Sequence, residues 1–183
     1  MPDRLINKLK YVEQFSSVFA GGVLNQVYSA NGLFDPNITG VGHQPLSYDQ
    51  MTPLYERYTV LNSSCKVTMM TGTAAVGTLT VSLNDDPSTF SQISMREGPK
   101  SQNKVWSASN MAVVMTYFNA EQFFGDNVEN NTLYQGSSVS NPSEQAYYSI
   151  RVDESSLGSS TVNFLVEIEY TVLWSEMRLQ SAS

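Results

Sequence analysis

From Val162 to Trp174 the chain alternates almost without interruption. Val162, Phe164, Val166, Ile168, Tyr170, Val172 and Trp174 are apolar at every second position, with Asn163, Glu167, Glu169 and Thr171 between them and Leu165 and Leu173 as exceptions. Side chains of a strand point alternately to its two faces, so this is one long strand with one buried face and one mixed face. At roughly 3.3 Å per residue it runs about 40 Å, well past the usual strand of roughly 20 Å. A strand of that reach crosses a whole domain, and an all-β sandwich follows.

The rest of the chain reads the same way. Leu9, Tyr11, Phe15 and Phe19 mark a first strand over 8–19, ended by Gly21-Gly22, and a second covers 23–30. Residues 31–46, rich in Gly, Asn and Pro, form a long loop, and loops of that length usually have structural or contact roles. Ser47 to Gln50 has the spacing of a capping box, and Tyr48, Met51, Tyr55 and Tyr58 recur at helical spacing, so a short helix is expected over 48–57. Pro53 predicts a kink there, or a restart capped by Thr52. Strands follow over 58–71 and around Leu79-Val81-Leu83. Residues 88–97 form a helical turn with Phe90 and Ile93 inward, then come a short strand over 104–107 and a firmer one on Met111, Val113, Met115 and Tyr117. Residues 126–143 read as a polar surface excursion. Ala146, Tyr148, Ile150 and Val152 form the seventh strand, and Leu157-Gly158-Ser159 turns into the last. The expected fold is an eight-stranded antiparallel jelly-roll sandwich, since the long crossing loops fit that better than an up-and-down barrel. It is one domain over 1–183, with a short segment 1–7 before it and a tail 176–183 after it.

Composition narrows the chemistry. No run of 18 apolar residues predicts a membrane helix, and the first ten residues lack an apolar secretory core. A single cysteine, Cys65, rules out an intrachain disulfide and a multi-thiolate zinc site. Alternating with Val67 and Met69, it reads as a small buried hydrophobe. His43 is the only histidine, set between glycine and proline, so it reads as a hydrogen-bonded structural residue rather than a catalytic base. Glycosidases use paired acids, but Glu167 and Glu169 share one strand face and read as solvated or interface charge. A Ca²⁺ ion bridging subunits would sit at Asp85-Asp86 or Asp153-Glu154. No phosphate-binding or dinucleotide motif occurs, so no cofactor, no resident metal and no enzymatic activity are expected. Trp106 and Trp174 have the chemistry to stack on bases, although core use is the commoner fate of tryptophan.

The stretch from Asn31 to Leu46 carries Phe34-Asp35-Pro36 and then Gly42-His43-Gln44-Pro45. It leads into Tyr48-Asp49-Gln50, Tyr55 and Tyr58-Thr59-Val60, and Val166 to Val172 closes the pattern. Over roughly residues 10–175 this resembles the capsid protein of small circular single-stranded DNA viruses, the circovirus-like group. The resemblance implies a capsid subunit that self-assembles into a sixty-copy T=1 shell around a circular single-stranded genome. Its place would be the virion, after assembly in the host nucleus or cytoplasm, with no membrane partner and a host receptor the residues do not name. Phe34, Asp35, Pro36, Gly42, His43, Gln44, Pro45, Asp49 and Gln50 become the motif and subunit-contact candidates. Members of that group usually begin with an Arg-rich arm, whereas here Met1 to Asn7 leads almost straight into the first strand. With a net charge of −7 per chain, sixty copies sum to roughly −420 before screening. Only weak DNA contact is therefore expected, from Arg4, Lys8, Lys10 and Lys66 facing the interior. The alternative left by the residues is a carbohydrate-binding jelly-roll module that stacks Tyr and Trp on sugar rings.

Overall fold

The computed structural model describes residues 2–18, 22–71, 76–107, 109–155 and 161–178. Nine strands are described: β1 Leu5–Val18, β2 Val23–Ser29, β3 Tyr55–Thr71, β4 Gly77–Asn84, β5 Gln102–Trp106, β6 Val113–Asn119, β7 Gln135–Ser137, β8 Tyr147–Glu154 and β9 Thr161–Met177. Three short helices join them: α1 Tyr48–Met51, α2 Gln92–Glu97 and α3 Ala120–Phe124. The first sheet has the order β1-β9-β3-β6, with β7 on the start of β3; the second has the order β2-β8-β4-β5. Every pairing is antiparallel. Eight of the strands thus form two four-stranded sheets, the expected jelly roll, and short β7 is the ninth.

The alternation in β9 is realised. Val162, Phe164, Val166, Ile168, Tyr170, Val172 and Trp174 are all buried at the centre of the first sheet, between β1 and β3. They meet Leu79, Val81, Tyr148, Ile150 and Val152 from the second sheet. Polar links cross this layer. Ser63 Oγ donates to the Ala30 carbonyl at 2.6 Å and lies 2.8 Å from the Tyr148 hydroxyl, and Tyr170 Oη donates to Ser29 O at 3.0 Å. Cys65 is fully buried among these groups, as its spacing predicted.

Several local expectations are corrected. β1 begins at Leu5 and β9 runs through Met177, so both end segments overlap strands. The 48–57 helix is a single turn, Tyr48–Met51. The Thr52 amide still bonds Tyr48 O, but Pro53 has no donor, and from Tyr55 the chain pairs with β9 instead. Nor does the capping box form: Ser47 is left-handed, at φ 72°, and its side chain makes no capping bond. In α2 it is Met95 that turns inward, while Ile93 is exposed. The strand expected on Met111, Val113, Met115 and Tyr117 is present as β6, with Val114, Thr116 and Phe118 as its core set and the four marking residues facing outward. Within the polar 126–143 stretch, Val128 and Tyr134 are buried, and Tyr134 packs on Phe124 with ring centroids 4.6 Å apart. The expected turn at Leu157-Gly158-Ser159 lies outside the described residues.

Candidate functional site: the groove built by residues 34–50

The loop between β2 and α1 folds back on the open edge of β1. The Leu46 amide donates to Lys10 O at 3.2 Å, and His43 Nε2 lies 2.9 Å from Val12 O. The other ring nitrogen of His43 is 2.7 Å from Gln44 O, and the ring sits 4.7 Å from that of Tyr11. His43 is thus a structural pin between the loop and β1. Cys65 is no nucleophile for it: burial pushes the Cys65 thiol up, away from the thiolate form.

Behind the loop lies a polar brace. Buried Asn37 donates to the Glu13 carboxylate at 3.0 and 3.1 Å, and its own oxygen accepts from Gln26 Nε2 at 3.0 Å and Thr39 Oγ1 at 2.8 Å. Tyr11 Oη also donates to Glu13, at 2.7 Å. Further along, Tyr58 Oη accepts from the Leu33 amide at 3.0 Å and donates to Asn141 Oδ1 at 3.2 Å, while Asn141 Oδ1 accepts from the Phe34 amide at 3.0 Å. These bonds satisfy backbone groups that the irregular loop takes out of water. Gly42 is required by contact: a Cβ there would lie 2.7 Å from Tyr11 Oη and 2.9 Å from Asn37 Cβ.

The braced loop encloses a groove of about 520 Å³. Phe34, Asp35, Gly42, His43, Gln44, Pro45, Asp49 and Gln50 all line it, so eight of the nine sequence-nominated motif residues share one surface. The ninth, Pro36, is buried behind them, and its carbonyl accepts from the Ser29 amide at 2.7 Å. Val41 and Leu46 project beside the groove, each 81% exposed. Partial burial raises the Asp35 carboxyl above the ordinary range. Sequence reasoning missed Glu13 and Asn141, and it gave no bracing role to Asn37 and Tyr58, which lie within the motif stretch it singled out. They come from separate strands and loops, and no local pattern joins them.

The four basic candidates do not form one cluster. Arg4 pairs with Glu129 at 3.4 Å and with Asn130 Oδ1 at 2.7 Å. Lys10 and Lys66 converge on one carboxylate, Glu167, at 2.8 and 3.0 Å on the outer face of the first sheet. Hydrogen bonds from the two lysines hold the Glu167 carboxyl below its usual range, and the same contact raises Lys10. Lys8 lines a separate depression on that face with Glu169 and Tyr117. Glu167 is thus an ion-pair hub. Asp153 is held by Arg151 at 2.8 Å, and Asp86 accepts from the Ser88 amide at 2.8 Å. Among the described residues no group of three or more His, Cys, Asp or Glu converges to hold a metal ion. Both tryptophans are buried, and Trp174 donates to Asn7 Oδ1 at 2.8 Å, so neither is a platform for sugars or bases.

No protein family's sequence profile matches this chain, and no curated protein does. Solved structures do. The Cocksfoot mottle virus structure matches with a TM-score of 0.56 at 9% identity, over 92% of this chain and 96% of that one. The semi-empty virus-like particle of Macrobrachium rosenbergii nodavirus gives 0.55 at 8% identity, over 98% and 97%. The BFDV capsid protein, in its 60-mer, gives 0.54 at 11% identity, again over 98% and 97%. The fold is the viral jelly roll. Each match spans nearly the whole of both chains, so the likeness covers the two sheets together with their connections.

Proposed function

We propose that this chain is a coat-protein subunit that assembles with copies of itself into a closed icosahedral shell, the structural component of a virion. The observation that carries this reading is the end-to-end correspondence of its two four-stranded sheets with virus structures, a 60-mer capsid protein among them. The surface supports it. Val41, Leu46, Val139, Ile93, Tyr117 and Val105 are each more than 60% exposed, on different sides of the subunit. Neighbouring copies on several symmetry axes would cover such sites. The finer reading, sixty copies with T=1 symmetry around a circular single-stranded DNA genome, rests on the Phe34-Asp35-Pro36 and Gly42-His43-Gln44-Pro45 motifs and their resemblance to the circovirus-like group. On that reading the Lys8, Lys10 and Lys66 face lines the interior and gives weak, salt-sensitive contact with the genome.

Electron microscopy and light scattering of the purified protein test the shell. Closed particles of megadalton mass are expected, and a chain that remains monomeric at high concentration and across salt would defeat the proposal. The ultraviolet absorbance ratio of nuclease-treated particles tests packaging. Little nucleic acid is expected at a net charge of −7 per chain, and a DNA-like ratio would contradict weak contact.

A further inference from the structure

The two flanks of the sandwich differ in a way that suits them to each other. One flank is formed by β1 and β2, where the Tyr11 and Tyr28 rings lie 6.1 Å apart, and it carries the groove described above. The other is formed by β6 and β5, the last strands of the two sheets.

The groove flank is apolar and acidic. Val41 and Leu46 stand out from it, and the groove lining includes Asp35 and Asp49 but no lysine or arginine. Among the described residues neither carboxylate is in an ion pair. The β6 flank is apolar, and among the described residues Lys100 is the one charged residue lining its depression. Met115 is 41% and Tyr117 is 64% exposed, and with Lys100, Gln102 and Gln122 they line a depression of about 490 Å³. Lys100 lies over the Phe123 ring, 5.3 Å from its centroid, and among the described residues it forms no ion pair.

We propose that the groove lip of one copy, at Val41, Leu46 and Asp49, seats in the β6 depression of a second copy, at Met115, Tyr117 and Lys100. The inference rests on the shell reading and specifies the contact that reading needs. Two different surfaces on opposite flanks make a heterologous, head-to-tail contact, and such contacts form rings about a symmetry axis when the rotation between copies closes, as a shell requires. The apolar projections fill the apolar depression, and the Asp49 carboxylate meets the Lys100 ammonium at its rim. Charge at such a rim sets register and rejects wrong pairings more than it adds affinity.

The test uses charge exchange and cross-linking. Asp49→Lys and Lys100→Glu, each alone, are expected to lower particle yield about tenfold at fixed protein concentration, and the double variant is expected to restore it. Separately, Leu46→Cys protein is mixed with Tyr117→Cys protein and treated with a short bis-maleimide, buried Cys65 remaining inert. Cross-linked dimers are expected in the mixture and not from either variant alone. If wild type forms particles while the charge variants assemble normally and no mixed dimer appears, this contact is overturned and the shell reading stands. If mixed dimers form but particles never do, the contact stands and the shell reading falls. If neither appears, both fall.

Discussion

Alkaline pH acts directly on groups this fold buries. Tyr11, Tyr28, Tyr48, Tyr58, Tyr148 and Tyr170 are each at most 1% exposed, and desolvation raises every one of their phenols. The same burial raises the Cys65 thiol. In the unfolded chain these protons leave near ordinary values, about pH 10 for tyrosine and about 8.5 for cysteine. The folded subunit keeps them. Stability from these groups is therefore intact below the unfolded values and is lost as pH rises past them. Each retained proton costs the fold about 1.36 kcal/mol per pH unit once the unfolded group is ionised. For six phenols and a thiol the summed loss reaches on the order of 10 kcal/mol by about pH 11, comparable with the whole stability of a typical domain, roughly 5–15 kcal/mol. The folded chain should thus unfold in one steep step near pH 11. Phenolate absorbance and far-ultraviolet circular dichroism, followed together through the titration, report it. Coincident transitions are expected. Phenolate absorbance that reaches the full value for all ten tyrosines around pH 10, over an unchanged dichroism spectrum, would show the buried rings open to water and refute the reasoning.

Three substitutions probe the brace and the outer face. Tyr58→Phe keeps the ring but strands the buried Leu33 amide, so denaturant unfolding should show a loss of about 1–3 kcal/mol. Gly136→Ala places a Cβ 2.1 Å from the Tyr58 ring; overpacking there should cost about 1–3 kcal/mol or more and lower the melting temperature. Glu167→Ala removes the partner of both Lys10 and Lys66, yet these lysines are near half exposed, so chemical denaturation should register less than about 1 kcal/mol.

How much of this was legible depended on whether one face of each element was chemically distinct. β9 was readable because polar residues separate its apolar ones over most of its length, leaving one register for burial. β6 was legible as a strand, but its buried face was not, for the opposite reason. Met111, Val113, Met115 and Tyr117 alternate with Ala112, Val114, Thr116 and Phe118, so both faces have apolar candidates, and an edge position decides which set faces out. The α1 turn failed as a capping box because its entry is set by the chain rather than by Ser47: the Tyr48 amide bonds Pro45 O, and Tyr48 is drawn inward to donate to Ser137 O. The motif residues proved easier to nominate than their supports. Phe34 to Gln50 is contiguous and compositionally odd, whereas Glu13 and Asn141 reach the loop from opposite parts of the chain.

The bond from Leu46 to Lys10 and the contact of His43 with Val12 fall in the middle of the 14-residue β1. That strand has β9 on one side alone, and a long run of unsatisfied amides and carbonyls is a template on which foreign strands can grow into fibrils. By occupying its midpoint, residues 43–46 break the run into stretches too short to template well. Copies of the chain crowded at high concentration are thereby steered away from amyloid-like stacking.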